Sequence, residues 1–466
     1  MKNRIKQYLL AASMCVGLTA CSDFFEPIPG VQFGLDETFA SKQRTEEYLN
    51  NVYSYVREVT DAIHPNTYGG IFTEASLDGA NRWNKTYAEW TNGSFNSASA
   101  QASEYFSKYY QAIAKASTFI QNVDKCTEAA ASTRGKWKSE ARALRAYYYF
   151  ELLRLYGPIP LIGEDPIPLD ASLEELIKER NSVDECVNFI ATELQSAIDS
   201  GDLLQRAGKA NLGRMDVATC MALKAKLYLY WASPLFNGNT DQASVKNKDG
   251  KQLFPQTEDN SKWAQARDAY ERFMTFATGQ GYKLTEVYTN GKLDPYASCR
   301  AAGEFFTTTW EAVDELIFVK LRDLYDYTYW VCPKFTDFQD TDVTGGGGYY
   351  TTQETVDLFF TKDGLTIEED PGYDKFEGIP GANNFTSGRY YDPNNPSRLY
   401  FDADKSKVLK QWKDREPRFY VNITYSGSIW LNEGKYNEEM RTDFTNGANG
   451  TCGKSKASGD CPDSGY

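Results

Sequence analysis

The sequence has few of the residues on which many metal sites and active sites depend. Histidine occurs once in 466 residues, at His64 before Pro65. This sharply limits histidine-based coordination or catalysis, and a surface histidine is the favoured interpretation. No two of the nine cysteines form a Cys-x-x-Cys pair, and the chain lacks the pattern of a disulfide framework.

Most of the remaining cysteines have separate interpretations. Cys126, Cys186 and Cys220 fall in helical stretches, where cysteine is usually a small buried residue. Cys452 and Cys461 share a Gly/Ser-rich segment, and the sequence leaves open whether they pair.

Positive charge is also scarce. Lys and Arg number 50 against 64 Asp and Glu, so the formal net charge is −14. This balance argues against nucleic acid or an anionic membrane surface as a partner. Aromatic residues, in contrast, are abundant at 14%, with 32 Tyr and 9 Trp. Tyr and Trp combine flat apolar rings with a polar group, which suits polar, ring-shaped ligands.

The N-terminus has the features of a secretory leader. Lys2, Arg4 and Lys6 precede an apolar stretch, residues 8–18, that is too short to span a bilayer. Leu18-Thr19-Ala20-Cys21 then matches a lipobox, which predicts cleavage after Ala20 and lipidation of Cys21. The alternative is an ordinary leader with an accidental cysteine. We expect a signal peptide over residues 1–20 and a tether over 21–40.

The clearest pattern lies between Ser139 and Leu161. Apolar residues recur there at helical steps on one side, at Ala141, Leu144, Tyr148, Leu152 and Leu155, and the opposite side is apolar or small as well. Such a helix must lie between other helices. Tyr156-Gly157-Pro158 predicts its end.

Paired helices are predicted on both sides of this one. The predicted helical stretches are Thr45–Val59, Ala100–Val123, a helix beginning at a Ser182–Glu185 capping box, Met215–Leu235 and a helix from Ser261. A turn is predicted near Ser132–Gly135. The fold prediction is therefore mainly α, with tetratricopeptide-like helix pairs over about 41–280.

Beyond about residue 280 the chain is predicted to be rich in loops. Leu316–Val319 and Phe419–Tyr425 are predicted as short strands, and Thr351–Phe360 as a short helix capped by Thr351 and Glu354. No change in composition marks an independent second domain, so residues 41–466 are predicted to form one domain.

Two aromatic clusters in polar stretches are candidate ligand sites. The first comprises Asp78, Asn81, Arg82, Trp83, Tyr87 and Trp90, and the second comprises Tyr325, Tyr327, Tyr329 and Trp330. Sugar rings stack on indole and phenol rings, and Asp, Asn and Arg can bond the hydroxyl groups. The alternative is that these rings pack loops onto the helices. Asp337, Asp340 and Asp342 form an acidic loop without EF-hand spacing, so a solvated loop is favoured over a calcium site.

The helical stretch also resembles a known family. Residues 141–150 and 155–161 are similar to the signature helix of the SusD/RagB family of Bacteroidetes surface lipoproteins. Further similar stretches follow in the same order: Ser182–Cys186, Gly213–Met215, Ala232–Gly238, Glu315–Phe318, Thr352–Asp357, Lys362–Gly364 and Arg415–Phe419. The family usually continues with a further segment and a late helix, which this chain lacks, so a C-terminally truncated product or a fragment is expected.

The resemblance implies helix pairs beneath a loop-rich ligand-binding face, location at the cell outer membrane, and a SusC-like TonB-dependent transporter as partner. It implies binding without catalysis and without a cofactor or metal. From it we derive the hypothesis of a glycan-binding lipoprotein anchored at Cys21. The alternatives are a peptide-binding RagB-like protein, a glycoside hydrolase on the same scaffold, and a scaffold for protein partners.

Overall fold

The computed structural model describes most of the chain between residues 33 and 428. The described residues are 33–57, 76, 79–81, 89, 93–163, 165, 167, 171–303, 314–320, 349–375, 380–404, 408–425 and 428. Their α-helices are α1 (Leu35–Ala40), α2 (Lys42–Tyr53), α3 (Ala100–Asn122), α4 (Ala131–Tyr156), α5 (Leu173–Leu176), α6 (Val183–Asp199), α7 (Val217–Ala232), α8 (Ser261–Gly279), α9 (Pro295–Gly303), α10 (Gln353–Asp357) and α11 (Pro417–Asn422).

Helix α4 is buried on nearly all sides, as its sequence predicts. The predicted stripe residues Ala141, Leu144, Tyr148 and Leu152 are fully buried, and so are Ala143, Ala146 and Phe150 on the other side. The helix ends where predicted, with Gly157 at φ 68° as its C-cap. Helices α2, α3, α6 and α7 all contact it.

The predicted turn at Ser132–Gly135 is wrong, because these residues lie in the first turns of α4. The connection from α3 consists of a 3₁₀ turn, Val123–Lys125, and residues 126–130. Gly135 is explained by packing rather than by a turn. A Cβ at this position would lie 2.7 Å from the Asp202 carboxylate, so glycine permits the close approach.

The helices form a sequential stack in which α3 packs on α4, α4 on α6, α6 on α7 and α7 on α8. This arrangement confirms the mainly α prediction. The predicted capping box is present at α6, where the Glu185 backbone N–H donates to the Ser182 hydroxyl and Glu185 accepts the Ser182 N–H. Cys126, Cys186 and Cys220 are buried, as predicted.

A buried ion pair joins three helices of the stack. Arg145 of α4 is fully buried, and its Nε lies 2.9 Å from a carboxylate oxygen of Glu193 on α6. Arg145 also donates to the Ser117 hydroxyl on α3 at 3.1 Å. Arg142 donates to the other oxygen of Glu193 at 3.0 Å. Charges this deep are tolerated because their hydrogen-bonding groups have partners on the neighbouring helices.

The part beyond residue 280 contains short two-stranded sheets. They pair β1 (Ala80–Asn81) with β4 (Tyr349–Tyr350), β2 (Tyr288–Thr289) with β3 (Lys292–Leu293), β5 (Phe385–Thr386) with β8 (Val408–Leu409), and β6 (Arg389–Asp392) with β7 (Asn395–Asp402), all antiparallel. A second apolar cluster forms around β7, β8 and α11, in which the rings of Tyr400 and Tyr420 stack at 3.9 Å.

Three local predictions in this part are wrong. Leu316–Val319 forms no strand, and its residues lie half-buried against the helices. Phe419–Tyr425 begins inside α11, because Pro417 occupies the first position of that helix and Phe419 and Tyr420 are both buried. The cap of α10 is Thr352, whose hydroxyl accepts the Thr355 N–H, rather than Thr351.

Arg398 joins α9 to the β6–β7 hairpin. Its guanidinium donates to Asp294, just before α9, at 2.8 Å and to Asp392 at 2.6 Å, and lies 4.3 Å over the Tyr296 ring. The hydrogen bonds from Arg398 lower the pKa of Asp294 to about 2. The folded protein therefore holds a proton on this carboxyl less tightly than the unfolded chain does.

We predict that Arg145→Ala lowers the free energy of unfolding by roughly 3–5 kcal/mol, because it leaves the buried Glu193 carboxylate with Arg142 alone and opens a cavity in the core. Urea denaturation followed by circular dichroism measures this change. Arg267→Ala, which removes an exposed pair with Asp268, is the control and should lower the free energy of unfolding far less, because solvent screens this pair. Equal losses in the two variants would contradict the role given to Arg145.

We also predict an acid-sensitive contact at Asp294. Since its folded pKa lies below the ordinary value of 3.8, the contribution of Arg398 is complete above about pH 4 and is lost as the pH falls towards 2. The amide protection factors of residues 389–402, in which the pH dependence of intrinsic exchange is removed, should fall over that interval. In Asp294→Asn the protection factors should already be lower at neutral pH and should change less on acidification.

Candidate functional site

Two chain segments that are far apart in sequence meet beside the end of α2. The Lys320 ammonium group donates to the carbonyl oxygen of Val56 at 2.6 Å and of Ser54 at 3.3 Å. Residues 58–79 follow Arg57 in the chain, and residues 321–348 follow Lys320. Two stretches of the sequence therefore begin at neighbouring points beside the helical stack. The first stretch, residues 58–79, leads to the first predicted cluster, and the second stretch, residues 321–348, contains the second cluster.

The first of these points is anchored on α4. The Arg57 backbone N–H donates to the Tyr147 hydroxyl at 3.4 Å, and the Arg57 guanidinium lies 3.3 Å from Glu151. Arg154 binds the other oxygen of Glu151 at 2.8 Å. Burial raises the pKa of Tyr147, so its hydroxyl stays protonated at neutral pH. On the adjacent helix α7, burial lowers the pKa of Lys226, and the positive charge of Arg154 lowers it further by a smaller amount.

The second point is anchored on α7 and on the turn before it. The Thr219 hydroxyl donates to the Ile317 carbonyl at 3.3 Å, and the Phe318 ring lies 6.4 Å from that of Tyr147. Gly213 adopts φ 82°, and a Cβ there would lie 2.8 Å from the Val319 carbonyl oxygen. The backbone of 317–320 thus lies directly on the helical stack.

The two stretches meet again at their far ends. In the β1–β4 ladder, Ala80 is paired with Tyr350 and Asn81 with Tyr349. Residues 58–79 and 321–348 therefore both begin beside the end of α2 and both end at the β1–β4 ladder.

The structure locates one member of the predicted site, since the backbone of Asn81 lies in β1. The other predicted ligand-binding residues lie outside the described residues: Asp78, Arg82, Trp83, Tyr87, Trp90, Tyr327 and Trp330. Cys21, His64, the acidic loop of Asp337, Asp340 and Asp342, and the Cys452–Cys461 segment also lie outside them. The pairing of β1 with β4 places Asn81 of the first predicted cluster beside Tyr349.

Two cavities lie among other described residues. One, of about 450 Å³, is mainly apolar and is lined by α3, the chain after α4, and α5, including Phe106, Tyr110 and Ile177. The other, of about 330 Å³, is polar, and its lining residues are Gly372, Tyr373, Asp374, Thr386, Lys410, Lys413 and Asp414. Sequence reasoning singled out neither cavity, because each is assembled from separate segments without a local pattern.

Within the described ranges, no group of three or more His, Cys, Asp or Glu side chains is placed to hold a metal ion. The helices in those ranges include none with the length and apolar composition of a membrane span.

Two family profiles match the chain in regions that contain this geometry. One, described as "Starch-binding associating with outer membrane", is SusD-like and matches residues 32–229. The other, described as the SusD family, matches residues 315–466. The chain belongs to the SusD/RagB family. The first matched region includes α2 and the second includes Lys320. The contact of Lys320 with the chain after α2 therefore joins the two regions.

Relatives of this SusD-like chain agree with its fold. A curated SusD-like protein of Bacteroides ovatus is 27% identical over 175 residues, which are 36% of this chain and 30% of that protein. The solved structure of BT4246 superposes with a TM-score of 0.67 at 24% identity and covers 84% of this chain and 66% of that one.

A SusD-like protein from Bacteroides fragilis, BF3747, gives a TM-score of 0.60 at 20% identity, with coverage of 85% of this chain and 64% of that one. The chain spans less than two thirds of the length of each of these relatives.

We predict that Gly213→Ala lowers the free energy of unfolding by about 1–3 kcal/mol, because alanine is strained at this φ and its Cβ meets the Val319 carbonyl. Gly250→Ala is the matched control, since Gly250 has φ 87° and open space around it. Chemical denaturation compares the two variants. The Gly213 variant should be the less stable, and equal losses would show that Val319 imposes no constraint.

Proposed function

We propose that this protein is a cell-surface lipoprotein that binds glycans and delivers them to a SusC-like TonB-dependent transporter in the outer membrane. The observation that carries the proposal is that the first and second stretches begin side by side at the Lys320 contacts and end side by side at β1–β4, where Asn81 of the first predicted cluster is paired with Tyr349. The description of the matching family as starch-binding supports a carbohydrate ligand.

The ligand-binding residues proposed are Asp78, Asn81, Arg82, Trp83, Tyr87, Trp90, Tyr327 and Trp330. Their indole and phenol rings would stack on the C–H faces of sugar rings. The carboxylate, amide and guanidinium groups would exchange hydrogen bonds with the hydroxyls. A few well-placed polar groups among aromatic rings are typical of sites that bind small polar ligands.

A related structure supports the same ligand class. BF0978 of Bacteroides fragilis is titled a SusD-like carbohydrate-binding protein and superposes with a TM-score of 0.51 at 17% identity. Attachment to the membrane would use lipid at Cys21. The tether expected over residues 21–40 would be shorter and would end before α1, because Phe39 of that helix is buried in the helical core. We propose binding without catalysis and without a metal or other cofactor.

We predict that Trp83→Ala, Trp90→Ala and Trp330→Ala each weaken glycan binding by about tenfold or more, which corresponds to at least ~1.4 kcal/mol. Isothermal titration calorimetry against a panel of soluble polysaccharides measures this loss. Trp263→Ala is the matched control, because Trp263 is an exposed tryptophan on α8. The glycan affinity of this variant should match that of the wild type.

Other outcomes would favour the rival functions. Binding of peptides but no glycan would indicate a RagB-like peptide receptor. Release of sugar products by the purified protein would indicate a hydrolase. Capture of the transporter by a protein that binds no ligand would indicate a scaffold.

A further inference from the structure

We propose that Lys320 is a positioning residue for glycan binding, which acts by holding the start of the second stretch (residues 321–348) beside the start of the first (residues 58–79). The inference rests on the proposed function. It concerns a side chain outside the residues proposed to touch the glycan.

The chemistry of the contact fits a lysine. Helix α2 ends at Tyr53, and the carbonyls of a helix C-terminus and the turn after it lack intrahelical donors and carry partial negative charge. The Lys320 ammonium has three hydrogens and donates to two of the carbonyls that follow, those of Ser54 and Val56. A cation at the end of a helix is therefore favourable, because it donates hydrogen bonds to free carbonyls and is attracted by their partial negative charge.

The contact lies at a decisive place in the chain. It joins Lys320 to Val56, which lie 264 positions apart in the sequence. Val56 precedes Arg57, after which the first stretch begins, and Lys320 directly precedes the second stretch. The rest of this segment is already fixed, through Ile317 on Thr219 and Val319 on Gly213. The side chain of Lys320 therefore sets the distance between the starts of the two stretches. The packing of the helical core does not depend on it.

Arg57 is fixed independently by Tyr147 and Glu151 on α4. Loss of the lysine contact should therefore release residue 320 while Arg57 keeps its place. Glycan binding that needs the two stretches at a fixed separation would then weaken. The protein would have to restore that separation when the ligand binds, and this ordering costs free energy.

The test is Lys320→Met, which keeps the aliphatic stem and removes the donors. We expect glycan affinity by calorimetry to fall about tenfold, with the thermal midpoint almost unchanged. Lys320→Arg should recover part of the loss, because it restores a cation that can donate to two carbonyls. Lys138→Met, which removes an ion pair with Asp124 on the exposed part of α4, is the control and should bind as the wild type does.

Two further readouts separate positioning from general damage. Without ligand, residue-resolved amide exchange at position 320 should be faster in Lys320→Met than in the wild type, with no change at residues 317–319 or in α6–α8. In combination with Trp330→Ala, the loss should be smaller than the product of the two single losses, since both changes act on the same stretch.

The outcomes distinguish the two proposals. A wild-type protein that binds no glycan overturns both. A wild-type protein that binds while Lys320→Met binds equally well overturns only the role of Lys320. A loss in Lys320→Met that is fully multiplicative with Trp330→Ala, or is accompanied by a large drop in thermal midpoint, also overturns it.

Discussion

The burial of α4 is the constraint on which the rest of the structure depends. A helix that is apolar or small around its circumference exposes too much apolar surface unless other helices cover it. Helices α2, α3, α6 and α7 do so, and the small residues Ala141, Ala143 and Ala146 let them approach closely. The buried charged groups on α4 are then forced into pairs, of which Arg145 with Glu193 is the most deeply buried. Packing thus fixes both the order of the helices and the positions of their ends.

Those helix ends place the loop-rich part. Glu151 and Tyr147 lie near the C-terminal end of α4 and hold Arg57, while Thr219 of α7 and Gly213 before it receive residues 317–319. Lys320 then joins the two sides. The starts of the first and second stretches are therefore held on the helical stack. A site that must recognise extended, polar ligands benefits from such fixed points, because less ordering remains to be done on binding.

Sequence reasoning succeeded where a local pattern is the cause of the structure. The periodicity of α4, its glycine C-cap and the Ser182–Glu185 capping box are all local, and the structure confirms them. It failed where the cause is distant. Gly135 suggested a turn but serves the approach of Asp202, and the alternation after Phe419 suggested a strand although Pro417 begins a helix. The β1–β4 pairing and the Lys320 contact join residues more than 260 positions apart, and no single-sequence pattern encodes them. The candidate ligand-binding residues other than Asn81 lie outside the described residues, so their roles remain proposals.

The central claim is that residues 58–92 and 321–350 form one carbohydrate-binding face on the helical stack. Hydrogen–deuterium exchange of the purified protein, with and without a glycan that it binds, tests this claim most directly. The account predicts that ligand protects peptides from both stretches together, while peptides from α8 and from residues 372–374 and 410–414 around the polar cavity exchange unchanged. Protection confined to that cavity, or to one stretch alone, would contradict it.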